Sequence, residues 1–397
     1  MKKWLKNVQI ETGYKQQGDF VSGTKTENVD ILIEDGRVTK IRPHGHDFNG
    51  LVVENGHGKL IIPAIREMHC HFDKSKLGLA WQPTTPATSI VERFENEIPQ
   101  LDQAPLTLSE RMQNLIELER QHGVTFFRSH IDVHPKVGQR YLQQTLATLQ
   151  EYQGEFGYEL VAFPQHGLLC SQAYQDVKTA LENGASLVGG VDPNALDGDA
   201  VKSLQQTFEL ATTHNARIDL HLHERGTQGK QTFYEILKET KNNHWQGKVT
   251  ISHAFGLNDF SGQERQEFFQ QLSENKIAVF SSVPLDGAIP PLEELRHAGV
   301  RVALGCDNVY DSWSSLGNGN VLEKLNRYIE IFGIQTQDGL TDSLALVTGQ
   351  KPIVADGLWL KPGMDASFTL VDSSCSAEFV ARQGKVCASY YKGKSFA

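Results

Sequence analysis

The chain has 397 residues, of which 39% are hydrophobic and 22% are charged, so it can bury a sizeable core and does not have the composition of a disordered chain. Lysine and arginine number 38 against 48 aspartates and glutamates, which gives a formal net charge of −10. This balance argues against a nucleic acid or an anionic membrane as a partner, because both require a basic surface. The five cysteines are too sparse for a disulfide framework. The sequence contains neither a run of about 18 apolar residues nor a secretory signal, so we expect a cytoplasmic protein without a membrane span.

Both ends of the chain are predicted to form β-structure. Strand-like runs lie at 29–33, 38–41, 367–371 and 380–386. Asp35-Gly36, between the first two runs, is a hairpin signal, and the last run lies around Gln383-Gly384. The sequence therefore predicts that residues 1–61 and 352–397 pair into one small β-sandwich domain.

The middle of the chain, residues 62–351, alternates between strand-like and helical segments. Eight apolar or β-branched runs recur at 67–72, 125–133, 159–163, 186–191, 217–222, 248–252, 277–282 and 300–305. The stretches 109–122 and 201–211 between them have the apolar spacing of amphipathic helices. Eight such repeats favour an α/β fold of the (β/α)₈ TIM-barrel type. The alternative is an open, doubly wound parallel sheet.

Polar residues gather where the predicted strands end, as the chemistry of a barrel does. Eight of the fifteen histidines lie in these runs or directly after them, namely His69, His71, His130, His134, His166, His221, His223 and His253. Histidines scattered over a surface would not cluster at strand ends in this way.

The pair His69 and His71 is the first candidate metal-binding element. Side chains two residues apart on a strand point to the same face, so the two imidazoles can converge on one ion. Alone this pair is weak evidence, because two solvated histidines at a strand end would look the same. His221 and Asp307, at the ends of two other runs, complete a set of three imidazoles and one carboxylate. Such a set suits one divalent transition metal and leaves room for a water with a lowered pKa.

Three further residues near these ends have open roles. Glu224 lies three residues after His221, where a carboxylate could move protons or could instead interact with a helix N-terminus. His253 could bind the metal, orient its hydroxide, or be a satisfied core histidine. His223 has the opposite parity to His221 on its strand, so we expect its side chain to face away from the barrel axis.

Six separated segments resemble the amidohydrolase superfamily, and specifically its cytosine deaminase branch. They are EMHCHFD at 67–73, RSHIDV at 128–133, AFPQHG at 162–167, DLHLHE at 219–224, SH at 252–253 and DNVYDSW at 307–313. The segments run in the family's order and together cover most of the predicted barrel. The fold that the resemblance implies, a barrel beside a small β domain built from both chain ends, agrees with the organisation predicted above.

The resemblance also implies roles for individual residues. One zinc or iron ion is expected on His69, His71, His221 and Asp307, with Asp307 also accepting a proton from the water. Glu224 is expected to be the proton shuttle, and His253 to hold the attacking hydroxide. Gln165, Asn308 and Trp313 are expected to contact the substrate, Gln165 through its amide and Trp313 as an aromatic wall of the pocket.

One position departs from the pattern of the cytosine deaminase branch. Those enzymes usually carry Asp-Asp where this chain has Asp307-Asn308, and an amide reads a different ring edge from a carboxylate. The segment 307–320 is more similar to N-isopropylammelide amidohydrolase, which hydrolyses an alkylamino group from a triazine ring.

The expected function is therefore hydrolytic deamination of a cytosine-like heterocycle, in which metal-bound hydroxide attacks the amine-bearing ring carbon and ammonia leaves. The alternatives are release of an alkylamine from a triazine, opening of a cyclic amide, and a scaffold without catalysis. Cyclic-amide hydrolases resemble this chain less, because they use a carboxylated lysine after the fourth strand and residues 186–193 contain none. A scaffold would be expected to have lost metal ligands. The partner is a small heterocyclic substrate, and a homo-oligomer is left open.

Overall fold

The computed structural model describes residues 2–45, 47–48, 50–285 and 289–396. Its strands are β1 (Lys2–Gln17), β2 (Phe20–Glu34), β3 (Arg37–Pro43), β4 (Val52–Pro63), β5 (Ile65–Cys70), β6 (Val124–Asp132), β7 (Gly157–Phe163), β8 (Leu187–Val191), β9 (Arg217–His221), β10 (Val249–Ser252), β11 (Ala278–Ser281), β12 (Val302–Leu304), β13 (Phe368–Asp372), β14 (Lys385–Tyr391) and β15 (Lys394–Phe396). Its α-helices are α1 (Ile90–Asp102), α2 (Leu108–Gln121), α3 (Arg140–Glu151), α4 (Tyr174–Glu182), α5 (Ala200–Thr213), α6 (Gly226–Asn242), α7 (Gly262–Glu274), α8 (Leu292–His297), α9 (Val321–Ile331), α10 (Gln337–Ser343), α11 (Ala345–Thr348) and α12 (Ser376–Arg382).

The strands from the two chain ends form one seven-stranded sheet in the order β15-β14-β13-β4-β1-β2-β3. The predicted hairpin is present between β2 and β3, where Asp35 and Gly36 both have positive φ, of 51° and 79°. A Cβ on Gly36 would lie 2.9 Å from the backbone oxygen of Lys392, in the turn between β14 and β15. The two edges of the sheet therefore approach each other around a separate apolar core, and the ends form the predicted small β-sandwich domain.

The strands β5 to β12 form a second sheet, parallel throughout and arranged in sequence order. Each strand coincides with one of the eight predicted runs. The ends of the sheet meet where Asp307 pairs with Cys70 in an isolated parallel bridge. The TIM barrel is thus confirmed over the doubly wound sheet, and the main apolar core lies between its strands and the surrounding helices.

One part of the predicted C-terminal β-structure is wrong. Residues 376–382 form α12, and Phe379 and Val380 pack into the barrel core. Gln383, with φ of 48°, ends this helix as a left-handed cap, so the strand predicted over 380–386 begins only at Lys385. The predicted domain boundaries at 61/62 and 351/352 stay a prediction, with β4 continuing to Pro63 and β5 beginning at Ile65.

All five cysteines are free, as their sparseness indicated. Within the described ranges, no helix has both the length and the apolar character needed to cross a bilayer.

Candidate metal centre and active-site cavity

Six side chains meet at the carboxyl ends of the barrel strands: His69 and His71 at the end of β5, His130 on β6, His221 at the end of β9, His253 after β10 and Asp307 after β12. The five imidazoles are buried, and Asp307 is half-buried. The ring centroid of His221 lies 4.7 Å from that of His69 and 4.9 Å from that of His253. All four predicted metal ligands belong to this cluster.

Asp307 is held against β5 by its backbone. Its N–H donates to the carbonyl oxygen of His69 over 2.7 Å. Its carboxylate Oδ1 lies 3.4 Å from Nε2 of both His69 and His71, and Oδ2 lies 4.0 Å from Nδ1 of His253. Burial would raise the pKa of Asp307, but the neighbouring imidazoles, His253 first, lower it well below its usual range. The carboxylate is therefore ionised at neutral pH.

The imidazole nitrogens fit a divalent transition metal. Both ring nitrogens of His221 and Nε2 of His253 are buried and have no hydrogen-bond partner among the described residues. Burial and the adjacent imidazoles lower the pKa of both histidines well below the usual range, so both rings are neutral. Buried polar atoms without a partner are rare in proteins, and neutral imidazole is a preferred ligand of zinc and iron.

A hydrogen-bond chain below the cluster fixes the orientation of His69. The Ser252 hydroxyl donates to Asp219 Oδ1 over 2.7 Å and lies 3.0 Å from Nδ1 of His69. Because this hydroxyl donates to the carboxylate, it accepts from Nδ1–H of His69 and leaves the Nε2 lone pair facing Asp307. Arg128 donates to the other oxygen of Asp219 over 2.8 Å, which anchors the chain.

His130 is part of the cluster, although the sequence analysis gave it no role. Its ring centroid lies 4.4 Å from that of His69 and 4.5 Å from that of His221, and neither of its nitrogens has a hydrogen-bond partner within the described part of the chain. Ligand atoms of these three histidines all lie within 4.8 Å of one another. By contrast, His134 and His166 stack on each other, 4.2 Å apart, and do not line the cavity described next.

A cavity of about 70 Å³ opens beside the cluster, and the predicted substrate residues Gln165, Asn308 and Trp313 all line it. Apolar walls are added by Phe94, on α1, and by Phe163. Phe94 was not predicted, because α1 is inserted between β5 and β6 outside the strand–helix alternation and its sequence carries no signal of its position relative to the barrel mouth.

Gln165 presents its carbonyl oxygen to the cavity. Its amide nitrogen donates to Glu97 Oε2 over 2.8 Å, and the buried Lys74 donates to the same oxygen over 3.0 Å. Lys74 also donates to Asp132 over 2.7 Å. Because the Gln165 nitrogen is bound to a carboxylate, Oε1 is left as the hydrogen-bond acceptor.

Asn308 is oriented in the same way. Its Nδ2 donates to Asp311 Oδ2 over 2.6 Å, which leaves its Oδ1 as an acceptor. Asp311 Oδ1 accepts from the backbone N–H groups of Trp313 and Ser314 and so folds the turn that places the indole. Both amides therefore offer oxygen atoms, which suit a ring that carries N–H donors.

Glu224 is near the cluster but does not line the cavity. Its Oε1 accepts from the backbone N–H groups of Asn194 and Ala195, over 2.6 and 2.9 Å, and its Oε2 accepts from the Thr232 hydroxyl. Burial raises the pKa of Glu224 despite these hydrogen bonds. In this conformation the carboxylate holds the loop after β8 and is not directed at a substrate.

His223 lines the cavity, contrary to the expectation that it faces away. Its ring centroid lies 4.4 Å from that of His253, and its Nδ1 lies 2.9 Å from Asp192 Oδ2. Strand β9 ends at His221, so the alternation on which the expectation was based no longer applies two residues later. Asp192, with φ of 38°, accepts from both Nδ1–H and the backbone N–H of His223.

Comparison with known proteins decides the family. A family model described as the amidohydrolase family matches residues 96–394. The chain belongs to the amidohydrolase family. The uncharacterized protein YahJ of Escherichia coli is 37% identical to this amidohydrolase over 398 residues, which cover 98% of this chain and 86% of that protein.

Two solved structures of this fold cover the whole chain. N-isopropylammelide isopropylaminohydrolase from Burkholderia multivorans is 30% identical and matches with a TM-score of 0.86, covering 98% of that chain. 5-Methylcytosine deaminase from Klebsiella pneumoniae, solved with 5-fluorocytosine, is 24% identical with a TM-score of 0.81 and is covered to 97%. The amidohydrolase is therefore similar to one enzyme named for release of an alkylamine, and it shares its fold with one named as a deaminase.

Proposed function

We propose that this amidohydrolase is a hydrolytic deaminase of an amino-substituted nitrogen heterocycle, such as a cytosine-like pyrimidine. Family membership makes the protein a hydrolase of C–N bonds. The observation that carries the finer proposal is the small cavity in which a cluster of imidazoles and one carboxylate faces two amide oxygens and aromatic walls. A flat ring that carries N–H donors and an exocyclic amine matches these features.

His69, His71, His221 and Asp307 would hold one divalent ion, zinc or iron. When bound, such an ion lowers the pKa of a coordinated water and supplies a nucleophile at neutral pH. The contact of Asp307 with His253 at 4.0 Å supports a joint role in which they orient that nucleophile, with the ionised Asp307 accepting its proton.

Ring recognition is proposed for the amide oxygens. Gln165 Oε1 and Asn308 Oδ1 would accept N–H groups of the ring, while Trp313 and Phe163 would cover its faces. Because each amide nitrogen is bound to a carboxylate, flipping either amide would place an oxygen against an oxygen. The carboxylates behind the cavity therefore fix its preference for a ring edge that carries N–H groups.

Proton transfer to the leaving amine is proposed for His223. Asp192 holds Nδ1–H of this residue, so Nε2 on the cavity side would take up the proton that Asp307 has accepted from the water and then deliver it to the leaving amine. Glu224, the shuttle expected from the resemblance, would act by positioning the loop that presents Asp192. The three donors that hold its carboxylate support this assignment.

Release of an alkylamine from a triazine is the second candidate. It is favoured by the 30% identity with N-isopropylammelide isopropylaminohydrolase and by Asn308 in place of the usual aspartate. Ile90, Phe94 and Val191 give the cavity an apolar side that would accept an alkyl substituent.

A substrate screen with metal-loaded protein tests the proposal. Cytosine, isocytosine, creatinine-like rings, aminotriazines and isopropylamino-triazines should be compared by assays for ammonia and for alkylamine. We expect ammonia release from at least one single-ring amine and loss of that activity in Asp307→Asn. Activity confined to the alkylamino substrates would establish the second candidate, and no turnover by fully metal-loaded protein would overturn both.

A further inference from the structure

A second, larger cavity lies at the opposite end of the barrel from the histidine cluster. It has a volume of about 810 Å³ and is lined by Arg66 and Met68, at the start of β5, and by residues 300–303, at the start of β12. Helices α8 and α11 and the loop before α10 complete its walls. This volume is in the range of small-molecule sites, and the amino ends of barrel strands are not where barrel enzymes place their chemistry.

Two arginines that line this cavity, Arg66 and Arg301, are the candidate ligand-binding groups. Arg66 is half-buried, its Nε is buried without a hydrogen-bond partner, and its guanidinium packs 4.0 Å from the ring centroid of Phe126. Arg301 is exposed to the cavity. Neither arginine forms an ion pair with any carboxylate among the described residues.

The carboxylates near these arginines already have partners. Glu293, which lines the cavity, accepts from Arg296 over 2.6 Å and also from Tyr328, and Asp342 accepts from Lys351 and Tyr14. Neither Glu293 nor Asp342 therefore pairs with Arg66 or Arg301.

Glu159, inside the barrel, is also unavailable to Arg66. Its carboxylate accepts from Arg128 over 2.8 Å and from Arg217. Burial, together with Arg301 and Arg128, lowers the pKa of Arg66 to about 10, although Glu159 opposes this change. Arg66 thus lies among other guanidinium groups, and an anionic ligand in the cavity would reduce their mutual repulsion.

We propose that this cavity binds a small organic molecule that carries an oxyanion, a phosphate or a carboxylate, with Arg66 and Arg301 as its ligands. Guanidinium groups recognise such oxygens with paired, charge-assisted hydrogen bonds. Phe332, Ile334 and Leu346 form an apolar wall that would contact the body of the molecule. Arg66 packs on Phe126, and the Arg301 guanidinium lies 5.8 Å from the ring centroid of Phe280, but neither ring supplies the oxygen acceptors that the guanidinium N–H groups lack among the described residues.

Isothermal titration of the metal-loaded full chain with inorganic phosphate and, separately, with succinate at constant ionic strength tests the proposal. The two probes distinguish a phosphate site from a carboxylate site. We expect saturable binding of at least one of them, weakened about tenfold or more by Arg301→Ala, since a charge-assisted pair contributes that much. Arg66→Gln should weaken the same probe, with Arg66→Lys retaining part of the affinity.

Two control variants separate this site from other anion sites. Arg42→Ala removes an exposed arginine of the β-sandwich domain and should leave binding unchanged. His221→Ala disrupts the histidine cluster and should also leave it unchanged, because the cavity lies at the other end of the barrel. The proposal is overturned by failure of both probes to bind at millimolar concentration, by equal weakening in Arg42→Ala, or by binding that His221→Ala abolishes and Arg301→Ala does not.

Discussion

The residues at the mouth of the barrel differ in charge and in hydrogen bonding, which suits them to different tasks in the proposed reaction. Asp307 is ionised because three imidazoles face it, whereas the rings of His221 and His253 are neutral because they are buried among each other. Gln165 is oriented by a carboxylate behind it, and so is Asn308. A site of this kind is ready to bind a cation on one side and a flat polar ring on the other.

The first prediction separates His223 from Glu224 as the proton carrier. His223→Asn should lower kcat about 100-fold or more, the usual size of a general acid–base contribution, without changing metal content. Glu224→Gln keeps a side-chain oxygen for the two backbone N–H groups and should lower kcat less than about tenfold. Steady-state kinetics with metal analysis of each variant makes the comparison. A larger loss in Glu224→Gln than in His223→Asn would contradict the assignment.

The second prediction concerns the position that departs from the cytosine deaminase pattern. Asn308→Asp places a carboxylate beside Asp311, whose pKa burial already raises to about 7, and removes the N–H that Asp311 accepts. We expect the ratio of kcat/KM for cytosine to that for an isopropylamino-triazine to rise about tenfold or more, since a change of hydrogen-bonding edge has this size. Asn318→Asp, on the exposed part of the same loop, is the matched control. An unchanged ratio would remove Asn308 from substrate recognition.

At the scale of elements, the sequence predicted every barrel strand but not every local detail. The eight apolar runs were enough to locate these strands, because the strands of a parallel barrel are buried on both faces and so are almost continuously apolar. The helix α12 was missed because its seven residues are too short for a helical period, and its capping depends on Cys375 and Gln383. His223 was misplaced because strand parity was extended beyond the point where β9 ends. The four candidate metal ligands could be predicted because each lies within or shortly after one of the eight apolar runs.

A prediction at this scale tests the chain of side chains that joins β6, β9 and β10 to His69. Ser252→Ala removes the acceptor of His69 Nδ1–H and should weaken metal affinity about 10- to 100-fold, as loss of a partner behind a ligand commonly does. Ser389→Ala is the matched control, because Ser389, on β14 of the β-sandwich domain, is also buried and donates to the Gly123 carbonyl. Competition with a chromogenic chelator gives both affinities. Equal affinities in the two variants would mean that Ser252 does not support the centre.

Another prediction concerns the ionic cluster at the base of the barrel, where Glu159 joins β6, β7 and β9. Burial would raise the pKa of Glu159, but Arg128 and Arg217 lower it. The stabilisation is therefore present above the unfolded pKa of about 4.3 and is lost as the pH falls through the lower, folded pKa. Denaturation of metal-free protein should show a smaller loss of unfolding free energy between about pH 5 and pH 3 in Glu159→Gln than in wild type.

The exposed Glu117, which pairs with Arg120 on the surface, provides the control for this experiment. Glu117→Gln should retain the wild-type dependence on pH, because exposed pairs contribute little. Parallel curves for wild type and Glu159→Gln would contradict the role given to the cluster.

At the scale of the whole molecule, the barrel separates two charged environments. Met68, Ala278, Phe280 and Ala303 form a small apolar cluster inside the barrel, and Met68 and Ala303 also line the arginine cavity. The histidine cluster lies at the carboxyl ends of the strands, and the arginine cavity lies at their amino ends. The histidine cluster could be predicted from the sequence, because its residues lie in recognisable motifs. The arginine cavity could not be predicted, because Arg66 and Arg301 are 235 positions apart and belong to no motif.

The central claim, that the strand-end histidines and Asp307 bind one catalytic metal ion, is tested most directly by elemental analysis of the purified chain beside Asp307→Ala. We predict one zinc or iron ion per wild-type chain, loss of that ion in the variant with the fold retained by circular dichroism, and a fall in the wild-type melting temperature after chelation, since a ligand bound only to the native state stabilises it. Wild-type protein that contains no metal and hydrolyses its substrate at full rate after exhaustive chelation would contradict the account.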